Sequence, residues 1–213
     1  MREKTRKSPL DARKRLITSA EELGCALTES QIDDALAYVD LLERWNRRIR
    51  LVGPREVAEL IDVHVADAIA LAGRLRNGTG GDGQTLIDVG SGAGLPGLIL
   101  SLMVPGIRVT LCETAEKRVT FLEEARRRLG MSYEVVHRDV RDLGRQRFDH
   151  AVARAVFAPE QWHQLAGSLI RENGCIWLML TRKQLLDWKG GGEVFRYRVG
   201  GERERALVAV STG

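Results

Sequence analysis

The chain has 213 residues, of which 44% are hydrophobic and 29% are charged, and its formal net charge is +4. This composition excludes a disordered chain, and no apolar stretch is long enough to cross a bilayer. The basic start of the sequence is followed by no apolar segment, so we expect no secretory signal, no membrane association and a cytoplasmic location. The cysteines Cys25, Cys112 and Cys175 are too widely spaced for a disulfide framework or a metal site.

The first third of the chain is predicted to be helical. Apolar periodicity indicates helices over Leu10–Leu23, Thr28–Trp45 and Arg55–Leu75, the second of which begins with a capping-box spacing. The glycine-rich stretch Asn77–Gln84 is typical of a connection. We therefore predict a basic arm with a helical extension over residues 1–77 and an α/β domain over residues 78–213.

Strands and helices alternate in the second part. Strands are predicted over Thr85–Val89, Ile107–Cys112, Tyr133–His137, Phe148–Ala153, Cys175–Leu180, Val194–Val199 and Ala206–Ser211. Helices are predicted between them over Pro96–Met103, Ala115–Leu129 and Pro159–Ile170. The alternation indicates a mainly parallel sheet with helices on both faces, and the short joint before the last strand indicates an antiparallel edge.

A glycine-rich loop follows the first predicted strand, in the sequence LIDVGSGAGLPG. Glycine permits backbone angles that other residues avoid, and it lets a ligand approach the main chain. In an open parallel sheet, ligands bind beyond the carboxyl ends of the strands. We therefore predict that Gly90, Gly92, Gly94 and Leu95 cradle a cofactor, the alternative being a tight turn that binds nothing.

Two classes of cofactor fit this loop. The stretch Gly92–Gly97 matches the dinucleotide fingerprint, but in the usual register, which begins at Gly90, Leu95 occupies the last glycine position. Asp88 precedes the loop, and its carboxylate would repel a pyrophosphate and attract an ammonium group. Glu113, at the end of the second strand, suits ribose hydroxyls in either class. Together these residues resemble the S-adenosylmethionine loop of class I methyltransferases.

Longer stretches resemble one family. DVGSGAGLPG, LCETAEKRVTFL and ARAV are similar to segments of the RsmG family, also called GidB, as are LERWNRRIRLVGPRE, HVADA and GERERALVAV. The resemblance extends over most of the chain from about Leu27. It implies a Rossmann-like class I methyltransferase fold, S-adenosylmethionine as cofactor, and methylation of guanine N7 in small-subunit ribosomal RNA.

The implied reaction assigns roles to residues at the other strand ends. Guanine N7 carries an exposed lone pair, so its methylation needs no general base, and catalysis can rest on alignment. Arg154 is the candidate catalytic residue because an arginine that donates to O6 distinguishes guanine from adenine. Its alternative role is contact with the cofactor. The resemblance also implies adenine recognition by Asp139 and Val140, although Asp139 could be a simple loop acid.

Several polar residues are candidates for RNA contact. His64 and Asp67 could form a pair in the pocket, or His64 could be structural. The other candidates are basic side chains, namely Lys117, Arg118, Arg138 and Arg205. The arginine clusters and the arm Met1–Lys7 suit a phosphate backbone, the alternative being solvated surfaces. Trp45 fits the core better than a base-stacking platform.

The chain departs from the family pattern at two places. Ala68 stands where the family has serine, and the segment Leu180–Arg182 replaces a Lys-Gly pair, so Arg182 and Lys183 are candidates to replace that lysine. Other functions stay open at this stage: a class I methyltransferase for a protein or small molecule, a nicotinamide-dependent oxidoreductase, or a non-catalytic RNA-binding domain. We expect a monomer.

Overall fold

The computed structural model describes residues 9–53, 56–78, 83–145 and 147–212. One sheet of seven strands has the order β3-β2-β1-β4-β5-β7-β6. Its strands are β1 (Thr85–Val89), β2 (Arg108–Glu113), β3 (Glu134–His137), β4 (Phe148–Ala153), β5 (Ile170–Thr181), β6 (Glu193–Val199) and β7 (Arg203–Ser211). The first five strands pair in parallel, and β7 lies antiparallel between β5 and β6. The predicted parallel sheet with an antiparallel edge is confirmed.

Helices alternate with the strands of the sheet, and further helices precede the first strand in the chain. They are α1 (Pro9–Glu22), α2 (Glu29–Asn46), α3 (Val57–Glu59), α4 (Ala66–Asn77), α5 (Gly97–Met103), α6 (Glu116–Leu129), α7 (Pro159–Ala166) and α8 (Arg182–Asp187). Thr28 caps α2 in the predicted capping box, in which its hydroxyl accepts from the backbone of Gln31 and the Gln31 side chain accepts in return. Within the described residues, no helix is long and apolar enough to cross a membrane.

Two local predictions differ from the structure, and one helix was not expected. The single helix expected over residues 55–75 consists of α3, a π-helical turn at Leu60–Val65 and α4, and residue 55 lies outside the described ranges. The helix expected to reach Ile170 ends at Ala166, because Ile170 instead pairs with Phe148 at the start of β5. The helix α8 was not predicted, although Thr181 and Gln184 form a capping box at its start.

The helices of the N-terminal extension pack against helices of the α/β domain. Buried side chains of α1, α2 and α4 share one apolar core with α5 and α6, including the fully buried Tyr38, Leu42, Leu71 and Phe121. Burial of such side chains stabilises each by about 1.5–3 kcal/mol. The extension is thereby held against the end of the sheet where β1 and β4 finish. The predicted arm Met1–Lys7 and half of the glycine-rich connection, residues 79–82, lie outside the described residues.

Candidate active site

The ends of four parallel strands bring the predicted cofactor residues to one edge of the sheet. The glycine loop follows β1, Glu113 ends β2, Asp139 follows β3 and Arg154 follows β4. Neighbouring strands end in register, since Val89 pairs with both Cys112 and Ala153. This is the edge at which open α/β sheets bind ligands.

The glycine loop exposes backbone that a side chain would cover. Gly90, Gly92 and Gly94 have φ values of +69°, +59° and +90°, in the region that favours glycine. A Cβ on Gly90 would lie 2.5 Å from Cγ2 of Val156, and one on Gly94 would lie 2.9 Å from a neighbouring side chain. A larger residue at Gly90 or Gly94 would therefore force a neighbouring side chain to move, whereas at Gly92 the nearest atom to such a Cβ is a backbone oxygen 3.7 Å away.

Asp88 lies beneath this loop and is fully buried. Its Oδ2 accepts a hydrogen bond of 2.8 Å from the Gly97 amide, whereas its Oδ1 is buried with no hydrogen-bond partner among the described residues. Burial raises the pKa of Asp88 to about 7, against the opposing effects of the Gly97 amide and the charge of Arg154. An unpartnered acceptor beside a bare loop fits a cationic donor such as an ammonium group.

Glu113 ties the glycine loop to the start of α6. Its Oε1 accepts from the amides of Thr114 and Ala115 at 2.8 and 2.9 Å. Its Oε2 accepts from the Gly92 amide at 2.9 Å and lies 3.5 Å from a guanidinium nitrogen of Arg118. The carboxylate is thus held in place by the protein itself. The predicted contact between Glu113 and a ribose stays a prediction. In it, the ribose hydroxyls would donate to the same carboxylate oxygens that accept from these backbone amides.

Arg154 belongs to a buried polar cluster that the sequence did not indicate as a unit. Its guanidinium lies 3.4 Å from Oδ2 of Asp67 on α4. The other oxygen, Oδ1, accepts a hydrogen bond of 2.9 Å from the hydroxyl of Tyr197 on β6 and lies 3.9 Å from Arg205 on β7. We call these four residues the Asp67 cluster. It anchors the Arg154 side chain from three elements beside the cofactor edge.

His64 lies close to this cluster but forms no hydrogen bond with Asp67 in the structure. Its Nδ1 is buried without a partner among the described residues. Burial, and then the charges of Arg154, Arg203 and Arg205, lower the pKa of His64 to about 4. The imidazole is therefore neutral at physiological pH. The π-helical turn that carries it is a conformation often found at functional sites.

Asp139 and Val140, which follow β3, contact neighbouring residues of the protein. Asp139 accepts from the amide of Arg141 and pairs with its guanidinium at 2.6 Å, which holds the pKa of the Asp139 carboxyl well below its usual range. The Val140 side chain is buried in the core. Neither side chain is directed freely into the cofactor edge, so recognition there would depend on main-chain atoms. The buried Cys112 thiol donates to the Arg138 carbonyl, and burial raises its pKa to about 11.

The remaining basic candidates divide into two groups. Lys117, Arg118 and Arg138 lie exposed at the cofactor edge, around the start of α6 and the end of β3. Five arginines at α2 and α6 are instead paired with carboxylates of the same helices, namely Arg44–Asp40, Arg47–Glu43, Arg126–Glu123, Arg127–Glu124 and Arg128–Glu124. Trp45 packs edge-on against Phe121 at 5.5 Å, as expected for a core residue.

The positions that depart from the family pattern lie away from the cofactor loop. Ala68 is fully buried within α4. Arg182 is exposed and lies 3.3 Å from Glu204, and Lys183 is exposed in the first turn of α8. Neither basic side chain is part of the Asp67 cluster.

Three further residues shape the edge and were not predicted. Tyr38 on α2 is buried, and its hydroxyl donates to the Ala93 carbonyl inside the glycine loop at 2.7 Å. Ala155 has a φ of +59°, rare for a residue with a side chain, and Val156 lies against Gly90. Ala155 and Val156 lie in the ARAV segment that resembles the family, but no sequence signal marks Tyr38, because its hydrogen bond to the loop exists only in the folded chain.

Comparison with known proteins agrees with this geometry. The profile of the family described as rRNA small subunit methyltransferase G (GidB) matches residues 31–198. A ribosomal RNA small subunit methyltransferase G from Leptothrix cholodnii is 31% identical over 166 residues, which cover 78% of this chain and 76% of that protein. The protein of the same name from Hydrogenovibrio crunogenus is 30% identical over 205 residues, which cover 92% of each.

A solved structure supports the fold independently. Magnesium protoporphyrin IX methyltransferase from Synechocystis PCC 6803, crystallised with bound S-adenosylmethionine, matches with a TM-score of 0.56 at 17% identity, over 88% of this chain and 99% of that one. At this identity the likeness shows the fold alone, and it confirms the predicted class I methyltransferase architecture. Because the family profile covers most of the sequence, the chain belongs to the rRNA small subunit methyltransferase G family, as its motifs predicted.

Proposed function

We propose that this protein is an S-adenosylmethionine-dependent methyltransferase that modifies guanine N7 in small-subunit ribosomal RNA in the cytoplasm, acting as a monomer. The observation that carries the cofactor is Oδ1 of Asp88, which lies beneath the glycine loop and has no hydrogen-bond partner in the part of the chain that the structure describes. The name shared by the relatives, a ribosomal RNA methyltransferase, supports the substrate.

The residues present fit this cofactor. Gly90, Gly92 and Gly94 would let it lie against the main chain, Asp88 would face its ammonium group, and Glu113 would reach its ribose. The bound cofactor supplies an activated methyl group on a sulfonium. A nicotinamide dinucleotide fits less well, because its pyrophosphate would face the buried carboxylate of Asp88.

The substrate side depends on Arg154. Arg154 follows the carboxyl end of β4, next to the loop, and its guanidinium is held by Asp67 on α4. Donation from this guanidinium to O6 would orient guanine so that N7 faces the cofactor, and adenine would present an amino group there instead. The ring lone pair needs no base. The described residues therefore have an aligning role, in keeping with a neutral His64 and a buried, weakly acidic Asp88.

The proposal is tested by mapping methylated guanines in ribosomal RNA from cells with and without this protein, and by repeating the reaction with purified protein and S-adenosylmethionine. We expect one N7-methylated guanine to depend on the protein. Absence of any protein-dependent N7 methylation would refute the substrate. Calorimetry with S-adenosylhomocysteine and with NAD separates the cofactor classes, and tight binding of NAD alone would refute the methyltransferase assignment.

A matched pair of glycine variants tests the cradle. Gly90→Ala should abolish cofactor binding, because its Cβ would lie 2.5 Å from Val156 and displace the segment that covers the loop. Gly130→Ala imposes a similar positive φ of +62°, at a position where no atom lies within 4 Å of the new Cβ. We expect it to lower stability modestly and leave cofactor affinity unchanged. Equal affinity in both variants would show that the loop does not bind the cofactor.

A further inference from the structure

Two arginine side chains of the Asp67 cluster are largely buried and yet form few hydrogen bonds. The side chain of Arg154 is 17% exposed and that of Arg205 is 22% exposed. Among the described residues, the Arg154 guanidinium donates only to Asp67, and the Arg205 guanidinium donates only to the carbonyl of Glu204, each at 3.4 Å. Each guanidinium has five N–H donors. The remaining donors are therefore available to a ligand.

Both arginines lie at the carboxyl end of the parallel strands, where the cofactor loop also lies. Arg154 directly follows β4, and Arg205 on β7 pairs across the sheet with Thr181, the last residue of β5. Because β5 lies between β4 and β7, the two backbones are two strand spacings apart, about 9.5 Å. The two side chains converge on Asp67, and each contacts a different oxygen of its carboxylate.

The positive charge of these two arginines is only half neutralised. Asp67 is the one carboxylate within 4 Å of either guanidinium in the part of the chain that the structure describes. Two positive charges thus share one negative charge, and the neighbouring His64 is neutral. Arg203, two residues before Arg205 on β7, has its own partner in Glu59 at 3.3 Å. A net positive charge with free N–H donors fits a phosphate, whose oxygens accept parallel hydrogen bonds from a guanidinium.

The order of the strands places Arg205 on the substrate side of Arg154. The cofactor loop follows β1, which lies next to β4. β7 is three strand spacings from β1, about 14 Å. Arg154 thus lies between the cofactor loop and Arg205. A phosphate of the RNA therefore fits Arg205 better than the carboxylate of the cofactor does.

We propose that Arg205 binds the backbone phosphate of the target nucleotide while Arg154 binds its guanine base. This inference rests on the proposed function, because it adds a phosphate contact to the substrate that Arg154 would position. The base and the phosphate of a nucleotide are attached to different positions of its ribose, so two guanidinium groups on separate strands can hold them together. A phosphate contact carries no base specificity, but it fixes the position of the nucleotide relative to Arg154.

Salt dependence of RNA binding tests the proposal. The probe is small-subunit ribosomal RNA from cells that lack the protein, and its binding is measured by filter binding over a range of salt concentrations. Loss of one phosphate contact should reduce the slope of log K against log salt by about 0.7–0.9, so the loss of affinity should be about five- to eightfold greater at 0.1 M salt than at 1 M. We expect this change in Arg205→Gln.

Two further variants separate the phosphate contact from a structural role. Arg205→Lys keeps the charge, so its slope should equal that of the wild type. The matched control is Arg171→Gln, because Arg171 lies at the opposite end of the sheet, at the start of β5, and pairs with Asp149 at 3.2 Å. Its slope should also be unchanged. A slope in Arg205→Gln that equals that of Arg171→Gln, or an equal reduction in Arg205→Gln and Arg205→Lys, would overturn the proposal.

Calorimetry with S-adenosylhomocysteine distinguishes the two possible anions. We expect Arg205→Gln and Arg171→Gln to bind it with wild-type affinity, because β7 is separated from the cofactor loop by β4 and β5. A loss of affinity in Arg205→Gln alone would assign Arg205 to the carboxylate of the cofactor and would overturn the proposal.

The binding measurements do not depend on methyl transfer. If the wild-type protein methylated no RNA while Arg205→Gln still lost its salt slope, the proposed function would fail and the phosphate contact would stand. If methylation occurred and the slope of Arg205→Gln were unchanged, the phosphate contact alone would fail.

Discussion

Replacing Tyr197 with phenylalanine removes one hydroxyl from the Asp67 cluster and leaves the ring in place. Among the described residues, Oδ1 of Asp67 then keeps only the Arg205 guanidinium at 3.9 Å, beyond hydrogen-bonding distance. A hydrogen bond to a buried charged group contributes about 1.5–3 kcal/mol, so we expect a loss of about 2 kcal/mol in unfolding free energy. For a chain of this size, that lowers Tm by roughly 4–8 °C.

The same substitution should affect catalysis in a way that a merely structural residue would not. The Tyr197 hydrogen bond lowers the pKa of Asp67, which burial raises, so its loss should raise that pKa further. Protonated Asp67 no longer holds the charge of Arg154. We therefore expect about a tenfold lower kcat, an acid limb of activity shifted to higher pH, and an unchanged KM for S-adenosylmethionine.

Tyr133→Phe is the matched control. Its hydroxyl donates to the Leu122 carbonyl at 2.8 Å, also in a buried setting, but it has no contact with the Asp67 cluster. We expect about 1 kcal/mol of lost stability and an unaltered pH profile. Steady-state kinetics from pH 5 to 9, with urea unfolding of each variant, provide the comparison. The same kcat and the same acid limb in the two variants would refute the positioning role of Tyr197.

Two further predictions concern buried titratable groups. The pKa of Asp88 is about 7 in the folded chain and 3.8 as a model value, so the unfolding free energy should fall by at most about 4 kcal/mol as pH rises from 4 to 7. In Asp88→Asn this component should be absent, and an identical pH dependence in urea unfolding would contradict the assignment. The pKa of His64 is instead lowered from 6.5 to about 4, so its contribution to stability should be lost as pH falls through that interval, by at most about 3 kcal/mol. The difference in unfolding free energy between the wild type and His64→Leu should therefore change between pH 6.5 and 4, and a constant difference would exclude a neutral buried imidazole.

The positions of the strands along the chain were readable from the sequence because that information is local, whereas their order in the sheet was not predicted. Short apolar runs predicted the positions of all seven strands, with ends that shifted by at most five residues. The largest error was Ile170, whose apolar character suits a helix face or a strand equally. Its position in β5 depends on pairing with Phe148, and the register then shifts, with the extra residues in β5, before His150 pairs with Cys175. Hydrophobic periodicity is a local pattern, so it does not reveal a pairing between residues that are far apart in the sequence.

The candidate site also contains one part that the sequence predicted and another that it did not. Asp88 and the glycines are close in sequence, so their spacing predicts a loop. The Asp67 cluster joins residues as far apart as Asp67 and Tyr197, which are separated by 130 positions, and no periodic pattern connects them. Glu113 shows the intermediate case: its position was predictable, but its bond to the Gly92 amide was not.

The contact between Tyr38 and Ala93 has a consequence for how such a chain can evolve. Tyr38, on a helix that precedes the sheet, lies 55 positions before Ala93 and supplies the hydrogen bond that supports the carbonyl of the cofactor loop. A recombination event that joined this α/β sheet to a different N-terminal segment would separate the two partners and leave a buried carbonyl unpaired. The helical extension and the glycine loop are therefore constrained to be inherited together, and a substitution at either position limits what the other can become.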